Sequence, residues 1–172
     1  MPSSTFLNLP TPKKDRIIHA LVTEFSHHPL ADAQVAPIVK EAAIARGAFY
    51  KYFTDLNDAY HFVYQLAIQT IHRAIPAPPV AHSAATYTNF TRSFLEQAVA
   101  SEYFLFIKNH LLFNEQNVST SVPLDSDAKT WAAATLSHAA LREAIATSDS
   151  ATQALILTRL NTALKHLFSE ED

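Results

Sequence analysis

The chain of 172 residues contains a single glycine, Gly47. Helical proteins normally place glycine at turns and just past helix ends. That usage is nearly absent here, so the one glycine retained suggests a point where a side chain is not tolerated. It lies in Arg46-Gly47-Ala48-Phe49-Tyr50-Lys51-Tyr52-Phe53, at the start of a short basic and aromatic helix, where a backbone can press against another surface. Abundant alanine and a charged fraction of only 17% favour packed helices, and no segment reads as a strand.

Cysteine is absent, which rules out disulfides and thiolate metal sites and fits a reducing compartment. Met1 to Leu9 lacks the basic and apolar regions of a signal peptide, and no apolar run approaches the roughly 20 residues that span a bilayer. The expected location is the cytoplasm, with no membrane partner. Net charge is −3, which argues against a protein coated in nucleic acid. The charges are unevenly placed: six basic residues stand against five acidic ones through Asp55, and seven against eleven beyond it. This mild asymmetry permits an N-terminal end that faces DNA.

Thr11-Pro12 reads as a helix start, with a hydroxyl at the cap and proline in the first turn. Ile17, Ile18, Leu21, Val22 and Phe25 follow at helical spacing, and Pro29 ends the run. A second short helix covers Asp32 to Ala42. Pro37 fixes its start near Ala33 or Gln34, because proline is tolerated only where its missing N–H would be unpaired. A tight connection, Ala43-Ile44-Ala45, leads to a third helix over about Arg46 to Phe53. Thr54 or Asp55 caps a fourth, and Asp58 three residues on resembles a capping box. Pro76, Pro78 and Pro79 form the clearest boundary. Beyond it come an aromatic helix over about Ser83 to Ser101, a second aromatic stretch from Glu102 to Phe113, and a polar loop from Asn114 to Ser126. Two alanine- and leucine-rich helices, Asp127–Ala146 and Ser150–Phe168, close the chain as an antiparallel pair.

Two short helices joined by a three-residue turn make a helix-turn-helix. Its second helix offers a major groove the required chemistry: cations and phenols for phosphates, and small residues for close approach. Lys13 and Lys14 are either further phosphate contacts or a solvated helix start. At this point Arg16 to Tyr64 resembles the DNA-binding domain of TetR-type transcriptional regulators. The matching string is Val35-x-x-Ile38-Val39-x-x-Ala42-x-Ile44-x-Arg46-Gly47-x-Phe49-Tyr50-x-Tyr52-Phe53. The resemblance implies a two-fold dimer on a palindromic double-stranded DNA operator, and a C-terminal domain that holds a small effector. It assigns DNA contacts to Gln34, Arg46, Gly47, Ala48, Tyr50, Lys51 and Tyr52. The chain departs from the pattern at Ala43 (usually Gly), Ala45 (usually Ser), Ala48 (usually Thr) and Leu56 (usually Lys).

The expected fold is therefore all-α. Residues 1–55 form a three-helix helix-turn-helix DNA-binding domain, 56–79 a connecting helix and proline-rich linker, and 80–172 a helical effector-binding and dimerisation domain. Candidates to line a cavity for a small, mostly apolar effector are Tyr87, Phe90, Phe94, Tyr103, Phe106, His110 and Trp131; the other reading of these residues is a plain core. The last two helices carry apolar residues on more than one face, which suggests pairing with a second copy. No catalytic constellation is present, and the nine histidines show no metal-binding spacing, so neither an enzyme nor a cofactor is expected. The competing functional reading is a TetR-like helical sensor or interaction module that no longer binds DNA specifically.

Overall fold

A computed structural model describes residues 1–75, 83–118 and 125–169. All regular structure among them is helical: α1 Ser4–Leu7, α2 Thr11–His27, α3 Val35–Glu41, α4 Arg46–Tyr52, α5 Leu56–Arg73, α6 Ala84–Ala100, α7 Phe104–Asn109, α8 Ala128–Ala146 and α9 Ser150–Phe168. Helix α7 runs on through a π-helical turn, His110–Asn114, and a short 3₁₀ turn, Glu115–Asn117. Pro76, Pro78 and Pro79, and residues 119–124 of the expected 114–126 loop, lie outside the described residues.

The chain divides into two compact units. The first joins residues 1–70 with 102–118; the second joins 71–101 with 119–172. This division differs from the boundaries expected at 55 and 79. The physical reason lies in α7: its Phe106 and Ile107 are fully buried, with the Phe106 ring 5.3 Å from that of Tyr60 in α5. Asn109 binds the end of α2, its Nδ2 donating to the carbonyls of Phe25 and His28, each at 2.8 Å. These are two of the carbonyls a helix C-terminus leaves without a partner. His110 Nδ1 lies 2.9 Å from the Tyr60 hydroxyl, inside the same core.

In the first unit, α2 begins one residue earlier than expected. Pro10 occupies the cap and Thr11 is already helical, so the hydroxyl makes no capping bond. Buried Ile17, Leu21 and Phe25 face the core from α2. At the head of α5, Asp55 Oδ1 accepts the Asp58 N–H at 2.8 Å and Asp58 Oδ2 accepts the Thr54 N–H at 3.0 Å, which satisfies two otherwise orphaned donors.

In the second unit, α6, α8 and α9 pack together. Buried Ala133, Ala140 and Ala144 on α8 let the helix axes approach closely, while Leu157, Leu160 and Leu164 fill the space from α9. Asp127 and Asp149 cap α8 and α9 by accepting the N–H of Thr130 at 2.9 Å and of Thr152 at 2.8 Å. The three-residue link folds α9 back along α8, and Gln153 Nε2 donates to the Ala144 and Thr147 carbonyls at its corner.

Candidate nucleic-acid interface

Helix α3 starts at Val35, after Gln34. The buried carboxylate of Glu24, on α2, accepts the Gln34 N–H at 2.8 Å and so sets the entry of the helix. The Gln34 side chain makes no capping bond and is exposed. At the other end, Ala43 N–H bonds the Lys40 carbonyl at 3.3 Å and Ile44 N–H the Val39 carbonyl at 3.0 Å. This pair of bonds is a Schellman termination, which requires a left-handed residue just past the helix. That residue is Ala43, with φ 52°. Helix α4 then begins after Ala45, which has extended backbone and no side-chain cap.

Phe49 and Tyr52 bury one side of α4, and Ile38 and Ala42 are buried from α3 and the turn. The opposite side of α4 is open: Arg46, Gly47, Tyr50 and Lys51 are exposed and Ala48 is half-buried. Arg46 and Tyr50, one turn apart, form a loose pair, with the guanidinium 3.5 Å from the phenol oxygen and 5.9 Å from the ring centroid. The Gly47 backbone has no positive φ, and a Cβ built on it meets nothing within 4 Å. The fold therefore has no use for glycine here, although glycine costs a helix interior about 1 kcal/mol relative to alanine.

Tyr52 stands apart from the other expected contacts. It is 5% exposed, its ring 5.9 Å from that of Phe6, and the Lys13 ammonium sits 5.9 Å from its centroid. The cause is an N-terminal arm that sequence periodicity did not reveal, because its helix is only four residues long. Ser3 N–H donates to the Tyr52 carbonyl at 2.9 Å and Ser3 Oγ to the Lys51 carbonyl at 2.7 Å, satisfying the last turn of α4. Phe6 is fully buried, with Phe53 at 4.9 Å and Phe62 at 5.2 Å between ring centroids. Lys14 Nζ donates to the Leu7 carbonyl at 2.6 Å, so Lys14 ties the arm to α2.

The profile of the bacterial regulatory proteins of the tetR family matches this chain. Residues 17–55 match the helix-turn-helix region of the tetR family. A TetR family transcriptional regulator from Chloroflexus aurantiacus J-10-FL shares its fold, with a TM-score of 0.63 at 21% identity over 97% of this chain and 96% of that one. A TetR transcriptional regulator from Rhodococcus sp. RHA1 aligns over 92% of this chain and 99% of its own, at 14% identity and a TM-score of 0.42. No curated protein matches the sequence. The chain thus carries a tetR-type DNA-binding helix-turn-helix at 17–55, all regular structure among the described residues is helical, and among them no helix is long and apolar enough to cross a membrane.

The seven aromatic and histidine candidates for an effector cavity divide between the units. Tyr103, Phe106 and His110 are buried in the first, and His110 is engaged with Tyr60 rather than free to orient a ligand. Tyr87, Phe90, Phe94 and Trp131 belong to the second. There Tyr87 stacks on Phe168 at 5.8 Å, and the His72 ring lies 5.8 Å from Phe90 and 5.7 Å from Phe94. Trp131 is 58% exposed and lines no interior there.

Proposed function

We propose that this protein is a cytoplasmic, ligand-responsive repressor that binds a palindromic operator as a homodimer. The observation that carries the reading is Gly47: a helical glycine with open space around it, flanked by Arg46, Tyr50 and Lys51 on one exposed face. A missing Cβ matters there only to something outside the subunit, and a duplex backbone approached by cations and a phenol suits that face. Gln34 and Ala48 complete the contact set; Tyr52 supports it from behind.

Pairing of α8 and α9 with their copies is supported by large apolar side chains left in solvent, Leu136 at 38% and Leu155 at 70% exposure. Two reading heads in such a dimer address half-sites about one helical turn, roughly 34–36 Å, or a multiple apart. The half-exposed aromatics Tyr87 and Phe90, with buried Phe94, suit a small and mostly apolar effector in the second unit. Its binding shifts the population toward heads at a non-binding separation, which for a nearly complete swing takes about 5.5 kcal/mol of differential affinity.

Selection of bound sequences from a random DNA pool tests the reading: an enriched palindrome is expected. No enrichment at low salt would instead favour a helical sensor that keeps the fold without reading DNA, a reading to which the uncapped Ala45 and the loss of basic and hydroxyl groups at Leu56 and Ala48 lend weight. On the selected site, Lys51→Ala should weaken binding to all sequences alike and flatten the salt dependence by about one unit of log–log slope. A mobility-shift titration in which this variant matches the parent counts against the assignment.

A further inference from the structure

A cavity of about 520 Å³ opens beside α2 in the first unit. Its apolar surface comes from Ile18, Val22 and Leu66, with half-exposed Leu105 at the mouth. Its fixed charges are the carboxylates of Asp15 and Glu102. No lysine or arginine is among the described residues that line it, and neither carboxylate has an ion-pair partner among the described residues. An apolar slot edged by unpaired negative charge selects an occupant of opposite sign.

We infer that this cavity binds a small hydrophobic cation, an ammonium or guanidinium carried on an aromatic or branched aliphatic body. The head lies toward Asp15 and Glu102, and the body covers Ile18, Val22 and Leu66. The site is separate from the aromatic cluster of the second unit, and its occupancy does not depend on the operator reading. It is nevertheless joined to the reading head. Thr23 and His19 also line the cavity, and both reach Glu41, the last residue of α3. Thr23 Oγ1 donates to Glu41 Oε1 at 3.1 Å, and His19 Nε2 lies 3.4 Å from the same oxygen. An occupant therefore touches the side chains that hold the end of α3, two residues before the left-handed Ala43.

Calorimetric titration of the full chain with three probes on one aromatic body tests this: phenylethylammonium, phenylethanol and phenylpropionate. The cation is expected to bind, the alcohol about fivefold more weakly, and the anion not at all. Because Asp15 and Glu102 are exposed, Asp15→Asn with Glu102→Gln leaves the thermal midpoint in place. That double variant should weaken the cation about tenfold, close to the alcohol. Equal binding of the three probes, no binding of any at millimolar concentration, or unchanged cation affinity in the double variant would overturn the inference. The titration uses no DNA, so its failure leaves the operator reading intact, and a failed operator selection leaves this site intact.

Discussion

Gly47 and Ala43 invert the usual placement of glycine. The left-handed position that ends α3 holds alanine, at φ 52°, and the glycine sits where backbone and space would accept any small residue. A left-handed non-glycine residue costs roughly 1–2 kcal/mol, part of which is returned by the smaller entropy of the unfolded chain. Ala43→Gly should therefore stabilise the protein by about 1 kcal/mol, read as a higher urea midpoint with an unchanged slope. Gly47→Ala separates folding from function. Its new methyl meets no protein atom, so stability should hold or rise by up to about 1 kcal/mol, while operator affinity falls. Unaltered affinity would show that the open space around Gly47 is not occupied by DNA. The residue types around Gly47 could be read from the sequence; their orientation could not. Tyr50 and Tyr52 look equivalent in Tyr50-Lys51-Tyr52, yet the 100° step of a helix turns one to solvent and the other onto Phe6.

Among the elements, the N-terminal arm braces the end of α4. Ser3 satisfies the last carbonyls of α4, and Phe6 closes an aromatic cluster with Tyr52, Phe53 and Phe62. Truncating a fully buried phenylalanine typically costs 3–5 kcal/mol. Phe6→Ala should lower the unfolding free energy of the first unit by about 3 kcal/mol and weaken operator binding, because α4 loses the contacts that fix its C-terminal turn. A loss below about 1 kcal/mol in urea unfolding would mean that the arm is held only loosely. Long periodic helices were legible in the sequence: α2, α6, α8 and α9 fall within one or two residues of the expected bounds. Pro37 likewise placed the start of α3, since the helix tolerates proline only in its first turn. The arm was not legible, because four helical residues carry no period and are stable only against their tertiary partners. The partition of 102–118 was hidden for a related reason. Proline marks where a chain breaks but not which core the next segment joins; that is decided by Phe106, Ile107 and Asn109 meeting α2 and α5.

At the scale of the molecule, the decisive quantity is the number of copies that act together. A single seven-residue helix buries too little surface to read an operator tightly, whereas two heads on a fixed dimer bind with the second event made intramolecular. The proposed interface has a clear weak point. Leu155 lies on α9 one turn before Arg159, which pairs with Glu143 of α8, and it is 70% exposed within its own subunit. Replacing it should change subunit stability by no more than about 0.5 kcal/mol. In a two-fold interface the same change occurs twice, and Leu155→Glu would set two carboxylates into apolar surface with no partners. The dimer dissociation constant should then rise at least about a hundredfold, which a concentration series in sedimentation reads directly. Operator binding should fall with it and become steeply concentration-dependent, since monomers must assemble on the DNA. If the variant sediments as a dimer at the same concentrations as the parent, the subunits meet through some other surface, and the spacing of the reading heads must be derived from that one instead.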